Sequence, residues 1–188
     1  MAYDLHKLSL RDFCRQKAEI KLNLLAQQLP RLSEAIDAPL AAPASATLSG
    51  YERRRGDQSI EHELCVTVAA TVHLQCQRCL ESYQEAISST SRFVLVKDDE
   101  ALEAYEDEHA NDDAAPEPLA ANAPCDVLSL IEDELLLALP IVPKHASCPT
   151  ELVDGLMGSI AAAGNEALDP QPPASPFAAL AGLKKSRR

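Results

Sequence analysis

Residues 64–76 read LCVTVAATVHLQC, and their alternation decides the fold class. Leu64, Val66, Val68, Ala70, Val72, Leu74 and Cys76 share one parity, while Cys65, Thr67, Ala69, Thr71, His73 and Gln75 share the other. A side-chain period of two over 13 residues is a β-strand with one face in the core and one wetter face. On the far side of the sequence CQRC, residues 81–96 carry Tyr83, Ile87, Phe93, Val94, Leu95 and Val96, which predicts a return strand. The pair Cys76 and Cys79 therefore falls at the end of a hairpin. Upstream, residues 45–54 (SATLSGYERR) form a candidate preceding strand, separated from the next by a turn at Gly56-Asp57.

The flanks add helices. Ser9 caps a short helix carrying Leu10, Phe13 and Cys14, and the alternation of Ala18, Ile20, Leu22 and Leu24 predicts a strand. A second short helix is expected from Pro30 to Ile36. Asp126 caps a third, whose apolar positions 127, 128, 131, 135, 138 and 139 recur at helical spacing until Pro140 stops it. The expected architecture is α+β, an antiparallel β-sheet meander packed by a few helices. Its expected organisation is a single domain over residues 1–148, a low-complexity linker over 149–175, and a short C-terminal helix with a basic tail over 176–188.

The formal charge of −12 is unevenly placed. Residues 1–97 carry +1, residues 98–170 carry −17, and residues 171–188 carry +4. Within it, residues 97–124 hold ten acids and few large apolar side chains, which predicts a flexible acidic loop over 98–124. A uniformly acidic surface repels phosphates, because nucleic-acid affinity comes from Lys and Arg releasing counterions. Here the acid is concentrated, so basic residues elsewhere remain candidate contacts. They are Arg53, Arg54 and Arg55 in one loop, Arg78 between the cysteines, and Lys184 and Lys185 near the end. Gathered on one face they favour RNA; scattered, they favour a protein partner.

No apolar run reaches the roughly 18 residues of a membrane span, and the opening MAYDLHKLSL is not a signal peptide. A soluble, intracellular protein with no membrane partner is expected. That setting argues against a disulfide framework for the six cysteines and for thiols or ligands. Phosphate-cradling glycine loops, HExxH and GxSxG are absent from the sequence, so neither an enzyme nor a small-molecule substrate is expected. Glu132, Asp133 and Glu134 project about 100° apart on a helix and read as a solvated face rather than an acid–base pair.

Cys76 and Cys79 leave three readings open. A redox pair belongs at a helix N-terminus, and here the chain leads into a strand. A zinc site needs two more donors, best offered by His145 and Cys148, but 65 residues intervene, far beyond finger spacing. The third reading is a structural turn of packed thiols.

Four segments in order, VTVAATVHLQCQRCLESY (66–83), the acidic stretch, IEDELLLALPIVPKH (131–145) with Cys148 three residues on, and SPFAALAGLKK (175–185), resemble the bacterial YceD family. The likeness extends upstream to LRDFCRQKAEIKLNLLAQQLPRLSEAI (10–36). The resemblance implies a cytoplasmic, non-enzymatic ribosome biogenesis factor supporting synthesis, processing or stability of 23S rRNA. Its partners would be ribosomal RNA or a ribosomal or assembly protein. It carries over no site residues. The alternatives are a zinc-binding or thiol-dependent protein centred on the CxxC pair, and an acidic adaptor for a basic ribosomal protein.

Overall fold

The computed structural model describes residues 3–54, 59–112 and 114–148. The chain divides into two units, Met1–Cys148 and Pro149–Arg188. The expected linker at 149–175, the C-terminal helix and the Gly56-Asp57 turn lie outside the described residues.

The order of elements is α1 (Leu10–Arg15), β1 (Glu19–Leu24), α2 (Pro30–Ala35), β2 (Ala44–Arg54), β3 (Ile60–Gln75), β4 (Ser82–Val96), α3 (Asp99–His109), β5 (Glu117–Ala120) and α4 (Val127–Leu137). The five strands form one sheet in sequence order. β1 to β4 make the antiparallel meander, with Leu48 opposite Val66 and Val66 opposite Ser91. β5 extends this meander by pairing with β4 in parallel, Phe93 beside Glu117. A parallel neighbour needs a crossover rather than a hairpin, and α3 supplies it.

The alternation in β3 is realised. Leu64, Val66, Val68, Val72, Leu74 and Cys76 are buried. Leu48 of β2 and Ile87, Phe93 and Leu95 of β4 join them, with Phe13 and Leu10 of α1, Leu32 of α2, and Val127, Ile131 and Leu135 of α4. The three α4 residues recur every fourth position and so lie on one stripe against β3 and β4. Ser9 accepts from the Asp12 N–H, and Asp126 accepts from the N–H groups of Leu128 and Ser129, so both expected caps form. α1 crosses β2 so closely that a Cβ on Gly50 would stand 2.7 Å from the Cys14 Cα.

Two expectations are corrected. The acidic segment is no disordered loop. Asp98 caps α3 by accepting from the Ala101 N–H, and Asp99 and Glu100 lie in its first turn, where the helix dipole favours negative charge. His109 stacks on Tyr105 at the other end. Arg92 then holds the following loop by donating to the Ala114 carbonyl at 2.6 Å. The second correction concerns α4, because Glu132 and Glu134 are buried rather than solvated. Glu132 accepts from Arg31 Nε at 2.8 Å and from the Leu32 N–H at 3.0 Å, which ties α2 to α4. Glu134 accepts from Ser89 and Ser91 on β4. Arg31 also reaches Asp133 at 2.6 Å. Buried carboxylates persist only with such partners.

Candidate metal centre

β3 ends at Gln75, and Cys76 continues its buried parity with no exposed surface. The chain then reverses in a tight loop. The Leu80 N–H donates to the Cys76 carbonyl at 2.8 Å, and the Cys76 N–H donates to the Glu81 carbonyl at 2.9 Å. Leu80 closes the loop at φ 63°, in the left-handed region that glycine enters without cost. The result turns Cys79 back toward Cys76. After α4, Pro140 prevents helical continuation, and the chain descends to the same end of the sheet. There the Gln77 N–H donates to the Pro143 carbonyl at 2.9 Å, and the ring of His145 lies 4.7 Å from that of Tyr83.

These two segments bring Cys76, Cys79, His145 and Cys148 together, with their donor atoms all within 4.8 Å of one another. Cys76 and Cys148 Sγ are 3.7 Å apart, Cys79 Sγ is 3.3 Å from His145 Nδ1, and Cys148 Sγ is 4.0 Å from the same nitrogen. Around the sulfurs stand N–H donors. Arg78 and His145 main-chain groups donate to Cys76 Sγ at 3.4 and 3.5 Å, and Arg78 Nε donates to Cys148 Sγ at 2.9 Å. Burial pushes the Cys76 thiol up. The N–H groups of Cys79, His145 and Arg78, with the His145 side chain, outweigh that and bring it down to about 5. Cys79 is pushed the other way, first by burial and then by sharing its protons with Cys148 and Cys76. Sulfurs this close do not all ionise unless a cation sits among them.

The other cysteines are unlike these. Cys14, on the buried face of α1, donates to the Glu63 carbonyl at 3.2 Å and is pushed up to about 11 by burial, which leaves it an inert thiol. Among the histidines, His73 faces away from the cluster, as its strand parity requires, and pairs with Gln84.

The basic residues do not gather. Arg53 and Arg54 lie at the end of β2 beside the start of β3, and Arg53 pairs with Glu63 at 3.2 Å. Arg78 lies beyond the opposite end of β3, about 50 Å of extended strand away at roughly 3.3 Å per residue. Its guanidinium is engaged with Cys148. Arg55, Lys184 and Lys185 are outside the described residues.

Two features of the centre were not anticipated from the sequence, the left-handed Leu80 and the hydrogen-bonding shell on the sulfurs. The first is a main-chain property of the loop, signalled only by the need of CQRCL to reverse direction between two strands, and the second combines main-chain N–H groups of Arg78 and His145 with the Arg78 guanidinium, which only the tertiary fold brings together.

The family profile described as "Large ribosomal RNA subunit accumulation protein YceD" matches residues 64–184, a span that opens within β3 and includes all four clustered donors. The chain belongs to the YceD family. A Haemophilus influenzae protein named large ribosomal RNA subunit accumulation protein YceD is 31% identical to it over 172 residues, 85% of this chain and 84% of the relative. No solved structure matches the chain. Membership in the YceD family thus agrees with the segment-by-segment resemblance, and the α+β sheet with the strand and helix pattern.

Proposed function

We propose that this protein is a ribosome biogenesis factor that acts by binding, without catalysis, to support accumulation of the 23S rRNA of the large ribosomal subunit. The observation that carries the reading is the relationship, over most of both chains, to a protein named for large ribosomal RNA subunit accumulation. Cytoplasmic action follows from that role. Among the described residues no helix is long and apolar enough to cross a membrane, which is compatible with it.

Structural use of the carboxylates supports binding over chemistry. Glu132 and Glu134, the buried acids of α4, are spent on holding α2 and β4. The direct partner is a ribosomal or assembly protein with a basic surface rather than bare RNA. Arginines split between the two ends of β3 make a poor phosphate track. By contrast, Asp99, Glu100, Glu103, Glu106, Asp107 and Glu108 are all exposed along α3.

Two measurements test the reading. Removing the gene is expected to lower 23S rRNA, and unchanged levels overturn the function. Affinity capture of the tagged full chain is expected to retain its protein partners after ribonuclease treatment. Loss of every partner to ribonuclease assigns the contact to RNA instead.

A further inference from the structure

The geometry points to a structural zinc ion held by Cys76, Cys79, His145 Nδ1 and Cys148, stapling the segment after α4 to the end of the β3–β4 hairpin. The inference rests on donor geometry and does not depend on the ribosomal reading.

A tetrahedral ion with Zn–S near 2.3 Å and Zn–N near 2.0–2.1 Å separates its sulfurs by about 3.8 Å and a sulfur from a nitrogen by about 3.5 Å. Of the six edges here, Cys76 to Cys148 is 3.7 Å, His145 Nδ1 stands 3.3 Å from Cys79 and 4.0 Å from Cys148, and the other three lie within 4.8 Å, a cluster that a small contraction onto an ion brings to that size. Three thiolates and an imidazole filling four positions leave none for water or substrate, which is the closed arrangement of a structural site. The remaining parts of such a site are present as well. Main-chain N–H groups of Arg78 and His145 point at Cys76 Sγ, the buried member, where thiolate charge most needs donors. Zinc with three thiolates carries one net negative charge, and the Arg78 guanidinium lies against it.

The alternatives explain less. A redox pair uses two sulfurs and leaves His145 and the third cysteine without a role. A Cys76–Cys148 disulfide requires the sulfurs to close from 3.7 Å to about 2.05 Å. It would also abandon Cys79 and His145. Packed thiols account for burial at Cys76 but not for three half-buried donors converging on one point. The ion would close the loop of 65 residues between the two donor pairs, with all six cysteines otherwise free thiols.

The full chain, purified without chelator under reducing conditions, is expected to carry stoichiometric zinc. Exchange for Co²⁺ should give the intense visible bands of tetrahedral cobalt with thiolate charge transfer in the near ultraviolet. Alkylation read by mass spectrometry should find Cys76, Cys79 and Cys148 protected until a chelator is added, with Cys65 and Cys125 reacting equally before and after. His145→Ala and Cys148→Ser should each weaken zinc by more than the roughly 10–100-fold that loss of an outer-shell partner costs. Cys65→Ser should leave it unchanged. Because a ligand variant is able to misfold, the cobalt spectrum and the alkylation pattern of the unaltered protein decide the matter. Metal-free protein that gives no cobalt bands overturns the proposal, as does a native Cys76–Cys148 disulfide or iron in place of zinc.

Discussion

Arg78 Nε lies 2.9 Å from Cys148 Sγ, a contact across 70 residues of chain that turns the one cation inside CQRC onto the cysteine cluster. Its main-chain N–H meanwhile donates to Cys76 Sγ. Arg78 therefore serves two of the four donors at once. Only the side-chain contact is removable by substitution. Arg78→Met keeps the stem and loses the charge, and zinc affinity is expected to fall about 10-fold, the low end of the outer-shell range. Competition with a chromogenic chelator measures it. An unchanged affinity means that the guanidinium contributes nothing to the site.

Leu80 is the strained position of the same loop. At φ 63° the Cβ crowds the following carbonyl oxygen, and the exposure of the side chain means that little packing is lost when it is removed. Leu80→Gly is expected to raise stability by about 0.5 kcal/mol, the relief of strain being partly cancelled by the extra freedom of glycine in the unfolded chain. Leu80→Ile is expected to lower it by about 1 kcal/mol. Urea unfolding of both variants, at fixed zinc, checks the pair of opposite signs.

The sheet was legible because one long strand, Leu64 to Cys76, alternates without interruption, and a one-residue slip would turn Val66 and Val68 to solvent. α4 was legible for the same kind of reason, through Val127, Ile131 and Leu135. The convergence of Cys76 and Cys79 with His145 and Cys148 was not readable from spacing, because it depends on where α4 ends over the sheet, a tertiary fact. α3 was misread because charge density was weighed without the cap at Asp98 or the crossover that a parallel β5 demands. The buried state of Glu132 and Glu134 was hidden likewise. Their partners, Leu32 N–H and two serines of β4, are about 100 and 45 residues away.

Gly50 is fixed by approach rather than by its own backbone angles. A Cβ there would stand 2.7 Å from Cys14 Cα and 3.0 Å from Phe13 O, both main chain, so α1 itself must move. Gly50→Ala is expected to cost about 2 kcal/mol. Thermal unfolding should register it as a lowered midpoint. A cost below about 0.5 kcal/mol means that α1 shifts without resistance.

His6 Nδ1 meets Asp126 Oδ2 at 3.0 Å, beside the cap of α4. The hydrogen bond and charge of Asp126, with a smaller push from Asp4, raise His6 above its ordinary 6.5. The same contact, led by the His6 hydrogen bond, lowers Asp126 below its ordinary 3.8. The histidine's contribution is complete below pH 6.5 and disappears as pH rises through its raised value; the carboxylate's is complete above 3.8 and disappears as pH falls through its lowered value. Stability from this pair is therefore greatest between those limits. Both groups are well exposed, so the effect on unfolding is small, and the direct readout is an NMR titration of His6. Its midpoint is expected to return most of the way to the ordinary value in Asp126→Asn.

The acids of α3 offer a test that separates binding from stability. Glu106, Asp107 and Glu108 occupy its last turns, where the negative end of the helix dipole disfavours them. Exchange of these three for Gln, Asn and Gln should therefore hold or slightly increase helix content by circular dichroism. If α3 is the surface that meets a basic partner, the same exchange weakens capture by on the order of 10-fold, the low end of what electrostatic steering supplies. Raising the salt concentration should weaken capture by the unaltered protein and narrow its difference from the variant, because exposed charges more than about 10 Å apart are largely screened at 0.1 M salt. Capture that is unchanged by both the exchange and the salt places the partner on a surface other than α3.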